Sequence, residues 1–236
     1  MKWSDKMQVY EGRLKVFLLK DVLISLVQEK ITALIDKALV RSEEMAAFHQ
    51  KVGYKNYCFS GFCPVESERV YRQDKIYTIQ IRTIDENLMN YFKEHLINAY
   101  TEEMKSLTMT VRRIKKIPIS RIYTLTPVIQ KFDGGYWKEI VTLDEFERRL
   151  KENLIKKYNN FMGEKCDEDF DLYTHLQFDN KGPISCPYKG ITLLGDKITL
   201  QLAQNPMAQE LAYMALGCGL GENNARGNGF CGYRYL

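Results

Sequence analysis

Hydrophobic and polar positions in the first half of the chain recur with the spacing of four strands and two helices. Residues 77–82 alternate strictly between apolar and polar side chains, as in a half-buried strand. Residues 23–38 instead place an apolar side chain every three or four positions, as in an amphipathic helix, and Asp21 is its expected N-cap. The predicted elements are strands at 9–19, 54–62, 77–82 and 108–117 and helices at 23–38 and 85–104.

The second half repeats this order of elements, although it does not repeat the sequence itself. Thr142 followed by Glu145 three residues later is a capping box, which predicts the start of a helix. Asn205 and Pro206 predict the start of another helix, and Gly217 lies where that helix is expected to end.

A hairpin signal lies between these two helices. The apolar runs at residues 191–194 and 197–200 flank Gly195 and Asp196, a pair typical of a tight turn. We therefore expect the two runs to pair as neighbouring antiparallel strands. The other strands predicted in this half are at 121–131, 170–178 and 230–236.

Two tandem β-α-β-β-α-β units predict an α+β fold of two ferredoxin-like domains, each an antiparallel sheet with helices on one face. We place the boundary after Pro118, which gives domains at residues 1–118 and 119–236. A length of 236 residues accommodates two domains of ordinary size. This fold hosts many functions, so the function has to be inferred from particular residues.

Charge and cysteine content add little to this picture. Residues 1–118 carry 20 Lys and Arg against 15 Asp and Glu, whereas residues 119–236 carry 14 against 15. The first domain is therefore the better candidate to bind a polyanion.

The six cysteines include no CxxC pair, so a zinc cluster is not expected. The sequence has no signal-peptide features and no apolar run of 18 residues, so we expect a cytoplasmic protein without a membrane partner.

Residues 217–232 contain six glycines and are the densest local signal in the sequence. Such a segment can be a flexible turn, because glycine adopts positive φ without strain. A nucleotide-phosphate loop fits poorly, because its glycines would follow a strand and open a helix, whereas these follow a helix and enter a strand. Glycines also let a backbone approach a phosphodiester closely, and Arg226 adds positive charge, so the segment suits an RNA backbone.

The spacing of these glycines is similar to that of a known family. The chain has GLG, then ENNAR, then GNG, and so resembles the CRISPR repeat-processing endoribonucleases of the RAMP superfamily, which end in G-apolar-G, five residues and G-apolar-G. Asn228 departs from the apolar residue that is usual at its position. The resemblance implies tandem ferredoxin-like domains over essentially the whole chain, with CRISPR precursor RNA and other Cas proteins of an effector complex as partners. The residues that it places against the repeat RNA are Gly219, Gly221, Arg226, Gly227 and Gly229.

The three histidines are His49, His95 and His175. His95 lies in a predicted helix and His175 in a predicted strand, so a structural role is expected for both. His49 lies in a polar turn after the first helix, where a histidine is either solvated or projects into a groove. The resemblance favours the groove, because the family places a histidine there, ahead of a G-x-K-x-F/Y-x-F-S-like stretch that residues 53–60 match. It implies that His49 and Lys55 are catalytic.

These two residue types suit RNA cleavage without a metal. In that reaction the neighbouring 2′-hydroxyl is the nucleophile, so the protein has to move protons and stabilise the charge on the phosphorane. Histidine acts as acid or base near neutral pH, and lysine offers a compact cation. The expected products carry a 2′,3′-cyclic phosphate and a 5′-hydroxyl. The acidic run at 167–171 lacks the spacing of metal ligands, so neither a metal nor another cofactor is expected.

Members of the family often add a catalytic tyrosine from the first helix. Residues 21–39 contain no tyrosine, and Tyr54 and Tyr57 fit a different position. The third catalytic role is therefore unassigned.

A run of basic residues supplies most of the positive charge surplus of the first domain. On a strand, Arg113 and Lys115 would share one face and Arg112 the other, so all four cannot reach one ligand. Contact with RNA and a solvated sheet edge protected by charge are both consistent with the pattern. The four residues are Arg112, Arg113, Lys115 and Lys116.

Taken together, these features predict a metal-independent endoribonuclease that cleaves CRISPR precursor RNA within the repeat. The main alternative is a non-catalytic RAMP subunit that holds guide RNA without cutting it, and the presence of His49 with Lys55 argues against it. A small-molecule enzyme or regulatory domain on the same fold is favoured only if the glycine-rich segment is purely structural.

Overall fold

The computed structural model describes residues 7–188 and 190–236. The first half forms six strands and three α-helices. Their bounds are β1 Tyr10–Leu18, β2 Val22–Leu23, α1 Val27–Leu39, α2 Glu43–Gln50, β3 Tyr57–Phe59, β4 Val70–Tyr71, β5 Ile76–Thr83, α3 Glu86–His95 and β6 Met104–Arg113.

Four of these strands make an antiparallel sheet in the order β3-β5-β1-β6. The alternation predicted at residues 77–82 is confirmed, since Tyr77, Ile79 and Ile81 are buried in one core with the apolar sides of α1 and α3. The chain order β1-α1-β3-β5-α3-β6 with this strand order is that of a ferredoxin-like unit.

The first helix begins later than predicted, and Asp21 is not its cap. β2 pairs with β4, so the chain is still extended where the helix was expected to begin. The Asp21 carboxylate instead accepts the backbone N–H of Gln73 at 2.7 Å. A 3₁₀ turn then leads into α1 at Val27.

The second half forms a second antiparallel sheet. Its strand order is β12-β7-β11-β8, which follows the same chain order as in the first sheet. The predicted α+β fold with antiparallel sheets of ferredoxin-like strand order is therefore confirmed. The bounds are β7 Ile119–Thr124, α4 Leu143–Met162, β8 Tyr173–Phe178, β9 Ile184–Tyr188, β10 Ile191–Gly195, β11 Ile198–Leu202, α5 Pro206–Cys218 and β12 Cys231–Tyr235.

The capping signals of this half act as predicted. The hydroxyl of Thr142 accepts the backbone N–H of Glu145 at 3.3 Å. The amide oxygen of Asn205 accepts the N–H of Ala208 at 2.8 Å, and Pro206 is the first residue of α5. The predicted apolar stripe of α4 is buried and consists of Phe146, Leu150, Leu154 and Tyr158.

The hairpin predicted around Gly195 and Asp196 is wrong. β10 pairs with β9, whereas β11 pairs with β7 and β8 in the larger sheet. Asp196 is buried, and its carboxylate accepts hydrogen bonds from the Tyr136 hydroxyl and the Trp137 indole, each at 2.8 Å. Its main chain also pairs with Val128. These bonds fix Gly195 and Asp196 where the chain passes from β10, in a two-stranded sheet with β9, to β11, in the four-stranded sheet.

α5 lies between the two sheets. Residues 208–218 are all buried and mostly apolar, which is typical of a helix enclosed in a core. The polar exceptions have partners: Gln209 bonds the main chain of Ile119, and Glu210 pairs with Lys116. It contacts β7 and β11 on one side and β3 and β5 on the other. A Cβ on Gly217 would lie 2.6 Å from Ile84 Cγ2. Gly217 therefore serves close packing, and the helix runs past its predicted end there to Cys218.

Along the sequence, the strands of the first sheet precede Pro118 and those of the second sheet follow it. The domain boundary at Pro118 stays a prediction. The Tyr213 hydroxyl of α5 joins the halves, since it donates to the carbonyl oxygen of Ile114 at 2.8 Å and accepts the N–H of Val9 at 3.0 Å. In the described part of the chain, no helix combines the length and the apolar character needed to cross a bilayer.

Candidate active site

His49 lies in the last turn of α2, and not in a polar turn as predicted. Ser42 caps this helix by accepting the backbone N–H of Met45 at 3.2 Å, and two glutamates in the first turn suit the positive end of the helix dipole. Met45 and Phe48 pack against the core of the first half. The helix therefore fixes the backbone of His49, whose side chain is 24% exposed.

Lys55 contacts the C-terminal end of the same helix. Its ammonium donates to the carbonyl oxygens of Phe48, His49 and Lys51, with 3.1 Å to that of His49. These carbonyls lack helical partners and carry partial negative charge. Burial, and then the charges of Arg226 and Lys51, hold the pKa of Lys55 below its usual value. Lys55 is thus fixed next to His49 through the main chain of α2.

Asp36 on α1 connects His49 to the glycine-rich segment. Its Oδ1 lies 3.5 Å from Nδ1 of His49, and its Oδ2 lies 2.7 Å from Nη1 of Arg226. Sequence reasoning missed Asp36, because it lies within an amphipathic helix and belongs to no motif.

The glycine-rich segment packs tightly against the rest of the protein. The four glycines of its GLG and GNG motifs have φ between +64° and +85°. A Cβ on Gly221 would lie 2.5 Å from the carbonyl oxygen of Ile129, and one on Gly229 would overlap the carbonyl oxygen of Leu220. The fold itself therefore requires these glycines, and their contact with RNA stays a prediction.

The segment also crosses from the second half to the first. Its 3₁₀ turn at Asn224–Arg226 contacts α1 and β3. A Cβ on Gly227 would overlap the amide oxygen of Gln28 on α1. Arg226 reaches Asp36 from this turn, so the segment brings its basic residue to the helix that carries the partner of His49.

Lys157 is a buried cation beneath the segment. Only 3% of the residue is exposed, and its ammonium donates to the carbonyl oxygens of Gly219 (2.9 Å) and Gly221 (2.7 Å) and to the amide oxygen of Asn224 (2.7 Å). Burial lowers the pKa of Lys157. Sequence reasoning missed it, although a signal existed: Lys157 lies three residues after Leu154, on the apolar stripe of α4.

These elements enclose a cleft of about 460 Å³ between the two halves. It brings His49 and Lys55, from the first half, together with Arg226, from the second. Among the described lining residues, one acidic side chain, that of Glu222, faces an excess of basic ones. The basic lining residues are Lys51, Lys55, Lys131, Lys157 and Arg226.

The two tyrosines near the catalytic candidates differ in position. Tyr54 lines the cleft, and burial, followed by the charge of Glu222, raises its pKa. Tyr57 is buried, and its hydroxyl lies 3.5 Å from the carbonyl oxygen of Ala225. The third catalytic role stays unassigned.

The basic run predicted as an RNA contact lies elsewhere. β6 is an edge strand and ends at Arg113, so the expected strand alternation does not extend to Lys115 and Lys116. Arg112 pairs with the buried Glu11 at 2.8 Å. The described residues that line the cleft include none of the four. Their contact with RNA stays a prediction.

The other histidines lie outside the cleft lining that the structure describes. His95 ends α3 and packs against Tyr91 with ring centroids 4.2 Å apart and the rings tilted by 42°, and His175 is exposed on β8. Within residues 7–188 and 190–236 there is no group of three or more His, Cys, Asp or Glu side chains that could hold a metal ion.

Comparison with known proteins assigns the family. The family described as CRISPR associated protein Cas6, C-terminal, matches residues 109–233, which is more than half of the chain. The chain belongs to the Cas6 family. The resemblance to repeat-processing CRISPR endoribonucleases is therefore confirmed.

Individual Cas6 proteins are similar over most of the chain. The CRISPR-associated endoribonuclease Cas6 2 of Methanocaldococcus jannaschii is 24% identical over an alignment of 216 positions, gaps included, and the alignment covers 82% of this chain and 86% of that protein. A solved structure named CRISPR associated protein Cas6 has a TM-score of 0.71 at 17% identity and covers 96% of this chain and 99% of its own. Another, named as a RAMP protein binding different RNA substrates, has a TM-score of 0.70 at 17% identity, with 95% and 99% covered. Both structures share the fold of this chain.

Proposed function

We propose that this chain is a metal-independent endoribonuclease that cuts CRISPR precursor RNA within the repeat. The observation that carries the proposal is that His49, Lys55, Arg226 and part of the glycine-rich segment line the same cleft. A proton-transfer group and an excess of basic side chains in one cleft suit cleavage of a phosphodiester. The endoribonuclease named among the relatives supports the same reaction class, and the RAMP structure named for the RNA substrates it binds supports RNA as the ligand.

The proposed reaction is an internal transfer at phosphorus. The 2′-oxygen next to the scissile phosphate attacks, the bond from phosphorus to the 5′-oxygen breaks, and the products carry a 2′,3′-cyclic phosphate and a 5′-hydroxyl. His49 takes the proton of the 2′-hydroxyl or delivers one to the leaving 5′-oxygen. Lys55 supplies positive charge beside the phosphorane.

The proposed partners follow from this reaction. The repeat RNA is the substrate, and the cleaved RNA passes to other Cas proteins of an effector complex. Arg226 and the glycine-rich segment are proposed to contact the RNA backbone. The cytoplasmic location stays a prediction.

A second candidate function is favoured by one observation. The ammonium of Lys55 already donates to three carbonyl oxygens at the end of α2, so part of its charge is used within the protein. A cleft with its lysine engaged in this way would hold guide RNA without cutting it, as a non-catalytic RAMP subunit does.

Incubation of the purified protein with repeat RNA in EDTA tests the proposal. We expect cleavage at one site, a 5′-hydroxyl on the downstream fragment, and no cleavage when the nucleotide before the scissile phosphate lacks its 2′-hydroxyl. Cleavage that needs added Mg²⁺ would contradict the metal-independent mechanism. Tight binding without cleavage would favour the guide-RNA subunit, and no binding at moderate salt would point to a small-molecule function.

A further inference from the structure

One oxygen of Asp36 lacks a hydrogen bond in the described structure. Oδ1 is buried without a hydrogen-bond partner, although Nδ1 of His49 lies 3.5 Å away. A buried carboxylate oxygen left unpaired is costly. A proton on Nδ1 of His49, pointing at Oδ1, satisfies it after a small rotation of either side chain. Catalytic hydrogen bonds are often this long without substrate and tighten when it binds.

We infer that Asp36 is a positioning residue that holds the proton of His49 on Nδ1 and leaves Nε2 free to act as the base that takes the proton of the 2′-hydroxyl. The inference rests on the proposed catalytic role of His49. A neutral imidazole donates from one ring nitrogen and accepts at the other, so a partner that accepts at Nδ1 decides which nitrogen is the base.

Arg226 fixes the other side of the carboxylate. Its Nη1 lies 2.7 Å from Oδ2, and the two side chains are 30% and 28% exposed. A guanidinium only donates, so it holds Oδ2 and leaves Oδ1 directed to the histidine. Because Arg226 belongs to the glycine-rich segment, the orientation of His49 depends on the second half of the chain.

Substitution of Asp36 by Asn separates this positioning role from a purely structural one. Arg226 takes the only oxygen of the amide, so the NH₂ group is left facing Nδ1 of His49. An N–H donor there favours the imidazole tautomer with its proton on Nε2, which cannot act as the base. We expect single-turnover cleavage at saturating RNA to slow by about 10- to 1,000-fold, with RNA affinity close to that of the parent.

Two further variants act as references. Glu29 lies seven residues before Asp36 on α1, and its side chain is 58% exposed. Glu29→Gln removes the same charge without touching His49, so it should cleave at the parental rate. Asp36→Glu keeps a carboxylate and should recover part of the rate that Asp36→Asn loses.

The tautomer itself is measured by ¹⁵N NMR of the imidazole. With His95 and His175 changed to Gln, His49 is the only histidine of the chain. At alkaline pH, where the imidazole is neutral, the proton should be on Nδ1 in this background and on Nε2 after Asp36→Asn. The same tautomer in both proteins, or parental cleavage by Asp36→Asn, overturns the inference.

A double-variant comparison tests the part of Arg226. If Arg226 acts on catalysis through Asp36, adding Arg226→Gln to Asp36→Asn should not slow single-turnover cleavage further. Independent, additive effects would remove Arg226 from this arrangement. Parental cleavage by His49→Ala would instead refute the proposed catalytic role of His49, and is therefore distinguishable from failure of the inference about Asp36.

Discussion

The ammonium of Lys157 lies 2.7 Å from the carbonyl oxygen of Gly221, and so a side chain of α4 holds the segment that follows α5. Its other bonds reach Gly219 and Asn224 in the same segment. Gly221 has a φ of +64°, and its carbonyl oxygen is one of the acceptors of the Lys157 ammonium. Lys157 and the glycines therefore depend on each other, because the buried ammonium donates hydrogen bonds to the carbonyl oxygens of Gly219 and Gly221.

Lys157→Met tests this arrangement. Methionine fills similar volume but leaves three buried acceptors without a donor, so we expect the free energy of unfolding in urea to fall by about 2–5 kcal/mol. The neighbouring Lys156 is 64% exposed and pairs only at the surface with Glu152. Lys156→Met should change stability by less than about 1 kcal/mol. Equal losses of stability in the two variants would show that Lys157 has no special role.

The glycine conformations can be tested separately from steric overlap. Gly221 and Gly163 both have positive φ, at +64° and +74°, but a Cβ on Gly163 meets no atom within 4 Å. Gly163→Ala should therefore show only the backbone cost, of about 1 kcal/mol. Gly221→Ala adds overlap with Ile129, and should cost about 1–3 kcal/mol more in urea unfolding. Similar costs for the two variants would mean that the segment shifts to admit the methyl group.

The fold was predictable where local pattern and tertiary contacts agree. The alternation in β5 and the cap at Thr142 both correspond to elements in the structure. The hairpin at Gly195 and Asp196 failed because the carboxylate is bound by Tyr136 and Trp137, some 60 residues earlier in the chain. Such long-range bonds override turn propensity and leave no local mark.

The candidate site was predictable only in part. His49 and Lys55 follow a motif, so resemblance to the family makes them candidates, and in the structure both line one cleft. Asp36 follows no motif, and its link to Arg226 spans 190 residues of sequence. Lys157 did have a local signal, because a lysine on the apolar stripe of α4 has to be buried with its own acceptors.

His49→Ala should slow cleavage of repeat RNA by about 100- to 10,000-fold, because it removes a proton-transfer group. RNA affinity should change little, since the basic residues of the cleft remain. His95 also lies in the last turn of a helix, so His95→Ala is the matched control and should cleave normally. The measurements are single-turnover rates and filter-binding affinities. A parental rate for His49→Ala would exclude it from the mechanism.

The stability of the protein at low pH should depend on Glu11. This carboxylate is fully buried and contacts Arg82 and Arg112 at 2.8 Å. Burial raises its pKa, but the charge of Arg82 and the hydrogen bonds from both arginines outweigh burial and leave the pKa below its usual value. Its stabilising contribution is therefore present above the unfolded pKa of about 4.3 and disappears as pH falls through the folded pKa.

Glu11→Gln removes that contribution. We expect its free energy of unfolding to be lower than the parent's near neutral pH, and the difference to shrink as the pH falls into the acid range. Glu94 is 77% exposed, and Glu94→Gln should leave the pH dependence unchanged. The check is urea unfolding over a pH series. A difference that stays constant with pH would mean that Glu11 acts through packing and not through charge.

The basic run divides into two pairs with different surroundings. Arg112 pairs with the buried Glu11, and Lys116 lies 2.9 Å from Glu210 with only 13% of its side chain exposed. Arg113 is 66% exposed, and Lys115 is also exposed. The second pair is therefore the more accessible to an RNA backbone. The first pair neutralises buried carboxylates, although 54% of the Arg112 side chain is itself exposed.

This difference makes a prediction about the salt dependence of RNA binding. Removal of one basic side chain that binds a phosphate should flatten the slope of log affinity against log salt by roughly 0.7 for single-stranded RNA. Arg113→Gln with Lys115→Gln should therefore flatten it by up to about 1.4 and weaken binding to repeat and unrelated RNA alike, because phosphate contacts do not read sequence. Arg112→Gln with Lys116→Gln should flatten the slope less and lower the free energy of unfolding, because two buried carboxylates are left without these basic partners. If neither double variant changes the slope, the run protects the open edge of β6, and the RNA path is confined to the cleft.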